Sequence, residues 1–183
     1  MNIADAQREI RTRFLGGFYG QLVSGVLWLA AAAAATWSTP RTAITLLVVG
    51  GFFIFPLTES LIRLSGTPGQ LSGANTLPQL GMQVAFVLPL SMPLLAPIAS
   101  FRLTLFFPAM MVLLGAHYVP FVFLYGMRMF GVLAGLLIGS GVLLGMYGAP
   151  SFASGAWLTG GLLILFAGIG RSLATRGSPG AAR

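Results

Sequence analysis

Apolar residues run along this chain in six long blocks, separated by short polar or turn-forming stretches, and almost no charge falls inside a block. Each block is close to the roughly 20 residues a helix needs to cross a hydrocarbon core about 30 Å thick. The spacing predicts spans over 14–36, 42–64, 80–100, 103–125, 129–147 and 155–169. Splitting the fourth at Pro120 is an alternative, but 103–116 alone is too short to cross. Ahead of the first span, 2–13 predicts a short interfacial helix. Ile3, Ala6 and Ile10 share its face, and Glu9 stands four residues before Arg13 in the favourable orientation. The segment 65–79 holds Gly66, Pro68, Gly69, Gly73 and Pro78 and predicts the one long loop. The tail 172–183 predicts disorder. Ala30 to Ala35 resemble a signal-peptide cleavage region, but the apolar run is longer than the roughly 7–15 residues of a signal core and follows Asp5 and Glu9, so it predicts an uncleaved first span.

Composition changes the picture little and charge changes it more. The chain of 183 residues is 56% hydrophobic and 7% charged, against about 25% charged for a soluble domain. Six spans and their turns leave room for a single membrane domain and no soluble module. There is no cysteine, which removes disulfide and thiolate–metal chemistry. The net charge of +7 comes from arginines placed singly at span ends, so nucleic acid is not an expected partner. Arg8, Arg11, Arg13, Arg63, Arg128, Arg171, Arg176 and Arg183 fall on one side of a six-span topology, and Arg41 and Arg102 on the other. The positive-inside rule then puts both termini in the cytoplasm.

Few residues could carry chemistry. Glu59 is the one acidic residue inside a span and His117 the one histidine. At 1.5 Å per residue, Gln83, Glu59, Gln21 and His117 fall at depths of about 5, 7, 10 and 12 Å from the cytoplasmic ends of their spans, with Tyr19, Tyr118 and Tyr125 in the same layer. One reading makes Gln21, Glu59, Gln83, His117 and Tyr118 the lining of a polar, cytoplasm-facing vestibule. The other pairs Glu59 with Arg63 one turn on, and makes His117 a hydrogen-bonding link between helices. Pro89, Pro93 and Pro97 recur at a spacing of four on the third span and predict a kinked or broken helix there. Gly131, Gly135 and Gly139 on the fifth span, with a second pair at Gly141 and Gly145, predict close helix packing within the chain or against another.

Enzyme chemistry has little to stand on. Ile138-Gly139-Ser140 lacks the first glycine of a nucleophile turn and no histidine follows it. One histidine and one membrane carboxylate make no metal site, and without lysine there is no phosphate loop of the usual kind. No catalytic residue, metal or cofactor is expected.

The stretches LPQLGMQVAF (77–86) and LFFPAMMVLLGAHYVPFVFLYGM (105–127) resemble a family of small bacterial integral membrane proteins known only as a domain of unknown function. The resemblance extends from the first span to the sixth. It implies a multi-pass bacterial membrane protein and supplies no activity. The expected fold is thus an all-α bundle of six transmembrane helices in the bacterial inner membrane. The expected function is a small transporter or channel with a cytoplasm-facing polar site. The alternative is a non-transporting structural or accessory subunit that binds lipid or another membrane protein; the expected partners are the lipid bilayer and a homo-oligomer or membrane-protein partner.

Overall fold

The computed structural model describes residues 1–66 and 71–176, which form helices and turns with no strand among them. The helices are α1 (Ile3–Arg13), α2 (Phe18–Trp37), α3 (Pro40–Gly51), α4 (Ile54–Leu64), α5 (Leu77–Ser91), α6 (Leu95–Phe101), α7 (Phe106–Tyr125), α8 (Met129–Tyr147) and α9 (Ser154–Arg176). Part of the long loop and the end of the tail, 67–70 and 177–183, lie outside the described residues. The tail expected to be disordered from 172 is helical as far as Arg176.

Local chemistry explains most element boundaries. Asn2 caps α1, its Oδ1 accepting from the Asp5 N–H at 2.9 Å. Thr39 caps α3 in the same way at 3.1 Å, with Pro40 at the first helical position, where its missing N–H costs nothing. Between α1 and α2 the chain reverses through Leu15, Gly16 and Gly17, with φ of 48°, 63° and 83°. That turn needs glycine for a second reason. A Cβ on Gly16 would run into the carbonyl oxygen of Gly170, where α2 and α9 almost touch.

Five helical stretches are long and apolar enough to cross a bilayer, and α3 with α4 makes a sixth when taken as one crossing, bent by 55°. Contacts along α2 support the single crossing. Gly50 of α3 abuts Leu27, Thr58 of α4 lies against Gly20, and Glu59 of α4 reaches Arg13 just before α2. The pair therefore runs antiparallel to α2 for most of its length. The bend falls at Phe52 and Phe53, where the Pro56 ring crowds the carbonyl four residues earlier.

In the third crossing the prolines bend the helix without interrupting it. α5 passes through a 3₁₀ turn at Met92–Leu94 into α6, and the Met92 N–H takes up the Pro89 carbonyl that Pro93 leaves unpaired. Ser91 donates back to Val87 at 2.7 Å.

Around the bundle, α3–α4 packs on α2, α2 on α9, α9 on α8, α8 on α7, and α7 on α5 and α6. Trp28 of α2 reaches across to Phe107 of α7 with ring centroids 5.9 Å apart, and Phe107, Phe130, Met111, Leu133, Leu137 and Leu163 fill the interior.

Of the two partners open to the α8 glycines, one within this chain is excluded for Gly135 and Gly139. Gly131, Gly135 and Gly139 are exposed, and a Cβ on Gly135 or Gly139 would meet no atom within 4 Å. Contact is made instead by the second pair, with a Cβ on Gly141 falling 2.7 Å from the Pro108 carbonyl oxygen. At about 100° per residue, Gly141 lies some 160° around the helix from Gly139, on the opposite face.

Two measurements check this arrangement. In detergent that keeps the chain monomeric, Gly141→Leu should lower stability by about 1–3 kcal/mol through overpacking, with Gly135→Leu within about 0.5 kcal/mol of the parent. Equal losses at both would show that α8 is rotated. The chain has no cysteine, so single cysteines report topology without background. Cysteines at Ala4 and Gly73 should be labelled from one side of the membrane, and those at Ser38 and Gly148 from the other. Labelling of Ser38 and Gly73 from the same side would make α3–α4 a re-entrant segment.

Candidate functional site

The best-built polar site lies where α1 crosses the end of the bundle. Alternation along α1 creates it: Ala6 and Ile10 are buried against the bundle, while the residues beside them reach neighbouring elements. Gln7 Nε2 donates to the Phe123 carbonyl at 2.5 Å and Arg11 Nη1 to the Tyr125 carbonyl at 2.7 Å. These carbonyls belong to the last turn of α7, at the negative end of the helix dipole; Phe123 O also accepts from the Gly126 N–H at 3.2 Å, so Gln7 adds a second donor there, while Arg11 supplies Tyr125 O. Gly126, at φ 62°, ends α7 there, and a Cβ on it would collide with both Gln7 and Arg11.

The loop before α5 is tied to the opposite side of α1. Asn75 is buried, and its Nδ2 donates to the Ala6 carbonyl at 3.1 Å and to Glu9 Oε2 at 3.0 Å. Its Oδ1 accepts from the Leu77 N–H at 3.0 Å, at the start of α5. Glu9 Oε2 also accepts from the Ser72 N–H at 3.2 Å. Arg13 closes the ring with an ion pair to Glu59 of α4 at 3.4 Å, both side chains about one-fifth exposed, at 20% and 22%. Glu59 thus takes neither of its expected roles, since its partner is Arg13 and not Arg63. Glu9 likewise turns to the loop and not to Arg13.

The proposed vestibule residues are dispersed over four settings. Gln83 is exposed on the outer face of α5. Glu59 is occupied by Arg13 at the α4 side of the bundle. His117 and Tyr118 do come together, in an aromatic cluster with Phe121, Tyr125 and Phe130, and the His117 ring lies beside the backbone of Val84 on α5. His117 and Glu59 therefore face different neighbours. Gln21 sits alone on the core face of α2, 2% exposed, between Gly17, which abuts Phe130 and Tyr125, and Gly25, which abuts Ile164. Both its carboxamide atoms, Thr58 Oγ1 and His117 Nδ1 are buried without a protein partner among the described residues.

Sequence reasoning passed over Gln7 and Asn75, and read Arg11 and Arg13 only as charges that set orientation, with Arg13 also as the partner of Glu9. A signal existed for Asn75, an N-cap residue type just before a helix that opens with Leu77 and Pro78. Nothing local could have paired Arg13 with Glu59, which lie 46 residues apart. Among the described residues, no three histidine or acidic side chains gather as a metal site.

The network has a measurable weight. Asn75→Ala removes three hydrogen bonds and should cost about 1–3 kcal/mol, with faster proteolysis in the α1–α2 turn. Glu59→Gln should cost less than about 1 kcal/mol, because the pair is partly solvated. Thermal unfolding in detergent compares the two, and a larger loss at Glu59 than at Asn75 would overturn this ranking.

Comparison with known proteins adds a family but no activity. No curated protein and no solved structure matches the chain. The profile of one family matches residues 3–170, from the start of α1 into α9. The chain therefore belongs to a family of unknown function, DUF7010, and is a multi-pass membrane protein of that family.

Proposed function

We propose that this protein is a non-transporting membrane component that assembles with a second copy of itself through the open face of α8. The observation that carries this reading is the contrast among its glycines. Gly25, Gly115, Gly141, Gly160 and Gly170 are each filled by a neighbouring helix, with a Cβ on any of them falling within 3 Å of another atom. Gly135 and Gly139, four apart, lie on a face the chain leaves uncovered, with Gly131 at its edge beside Val122 and the exposed Val132, Leu136 and Leu143 flanking it. Small residues four apart allow two helices to approach closely in lipid, and such a stripe is complementary to itself across a two-fold axis. The closed aromatic interior between α2, α7 and α8 supports the same reading, because it fills the space a transport route would need. No catalytic step is part of the proposal.

Orientation is part of it. Arg8, Arg11, Arg13, Arg63, Arg128, Arg171 and Arg176 gather at the α1 end and Arg41 and Arg102 at the other, which favours a cytoplasmic α1 end in a bacterial inner membrane.

A second reading, transport through a cytoplasm-facing site, is favoured by one residue. Gln21 holds an unpaired carboxamide in the first turn of α2, toward the α1 end, a group expensive to bury in a membrane bundle.

Crosslinking tests the first reading. Gly135→Cys should give a disulfide-linked dimer in membranes, while Val26→Cys on the exposed side of α2 should not. A discrete adduct with a different protein would replace the second copy by that partner, and no adduct at 131, 135 or 139 would end the reading. Gln21→Leu tests the second. With no role for the amide, removing an unpaired buried polar group should raise stability by about 1–3 kcal/mol. A loss of stability, or a proton or solute flux in liposomes that this substitution abolishes, would favour transport.

A further inference from the structure

At the end of the bundle remote from α1, an open groove runs along the outer face of α3, with a volume of about 680 Å³. That size lies within the range of ordinary small-molecule sites. Its floor is the contact between Leu27 and Gly50, and its wall is the row Arg41, Thr45, Val49 and Phe53. Arg41, Thr45 and Val49 are four apart and stack on one side of α3 over about 12 Å, and Phe53 follows in the turn just beyond the helix. The bend at Phe52 and Phe53 turns α4 away and leaves the lower end of the row uncovered.

Polarity is graded along the row. Arg41, Thr42 and Thr45 stand at its mouth, whereas Leu46, Val49 and Phe53 lie deeper, Val49 and Phe53 being 51% and 55% exposed. The mouth is level with an aromatic pair, Trp37 and Trp157, whose rings are 6.0 Å apart and whose positions mark a membrane–water boundary. Trp157 is anchored by its Nε1–H to Thr36 Oγ1 at 3.1 Å.

Charge decides what would sit there. The three acidic residues of the chain, Asp5, Glu9 and Glu59, all lie at the α1 end. Arg41 has no carboxylate within reach and makes no ion pair or hydrogen bond among the described residues. A fixed cation at the boundary, above an apolar channel open to lipid, matches a phosphate with an acyl chain beneath it.

We propose that this groove is a binding site for an anionic phospholipid, its phosphate held by Arg41 with Thr45 beside it and one acyl chain lying along Leu46, Val49 and Phe53. The site is on α3, away from the α8 face, and does not rest on the dimer reading.

The test uses the intact chain in detergent, titrated with phosphatidylglycerol and, separately, with phosphatidylcholine of the same acyl chains. Binding is read by native mass spectrometry and by the thermal midpoint. Phosphatidylglycerol should bind more tightly and raise the midpoint further. Arg41→Gln should weaken that binding about fivefold, the contribution of one interfacial arginine, while Arg102→Gln at the same end leaves it unchanged. Val49→Trp, which fills the groove and keeps Arg41, should weaken both lipids. Equal binding of the two lipids, an unchanged affinity in Arg41→Gln, or the same midpoint rise with inorganic phosphate alone would overturn the proposal. Gly135→Cys crosslinking in the Arg41→Gln background separates this outcome from the dimer, which should form as before.

Discussion

Helices surrounded by lipid gain nothing by hiding apolar side chains from one another, so their association depends on how closely their backbones can approach. In this protein the closest approach joins the first and last crossings. Gly16 and Gly170 bring α2 and α9 together at one end, and Gly25 and Gly160 admit Ile164 and Leu29 further along. That seam closes the bundle. With α9 fixed on α2, α8 and α7 follow as its neighbours, and Trp28 can reach Phe107 across the interior. A side chain at any of these glycines would push α9 outward and loosen every later contact.

The seam also decides what α1 can do. Because the turn at Leu15–Gly17 is pinned against Gly170, α1 is directed across the end of the bundle, where the last carbonyls of α7 need donors. Gln7 and Arg11 supply them, and Asn75, Glu9, Arg13 and Glu59 tie the loop and α4 to the same helix. An amphipathic helix that could have lain on the lipid surface has become a clamp joining α4, α5 and α7. Its contacts differ in weight, the buried Asn75 bonds contributing more than the partly solvated Arg13–Glu59 pair, but they share residues and act together.

Proline acts differently in the two places where it bends a crossing. In α5–α6 the freed carbonyl finds the Met92 N–H within a 3₁₀ turn, and the helix continues. At Pro56 the two preceding glycines, Gly50 and Gly51, offer little resistance, and the axis breaks by 55°. That break opens the α3 groove below Arg41, so a local backbone defect creates the outward-facing feature with the best-defined chemistry.

How much of this was legible depends on whether the cause was local. Hydropathy, turn residues and caps determined the all-helical class, the crossings and most of their ends, because a bilayer imposes a fixed length and every backbone group must find its partner within the segment. Rotation of each helix about its axis was not legible. α7 and α8 are apolar on all sides, so their sequences carry no stripe to say which face turns inward. Only the packed bundle decided that Gly141 meets Pro108 while Gly135 faces outward, that Gln83 is exposed while Gln21 is buried, and that Glu59 belongs to Arg13. Each of those outcomes depends on residues far apart in the chain meeting at distances set by every other crossing, which is information no single segment contains.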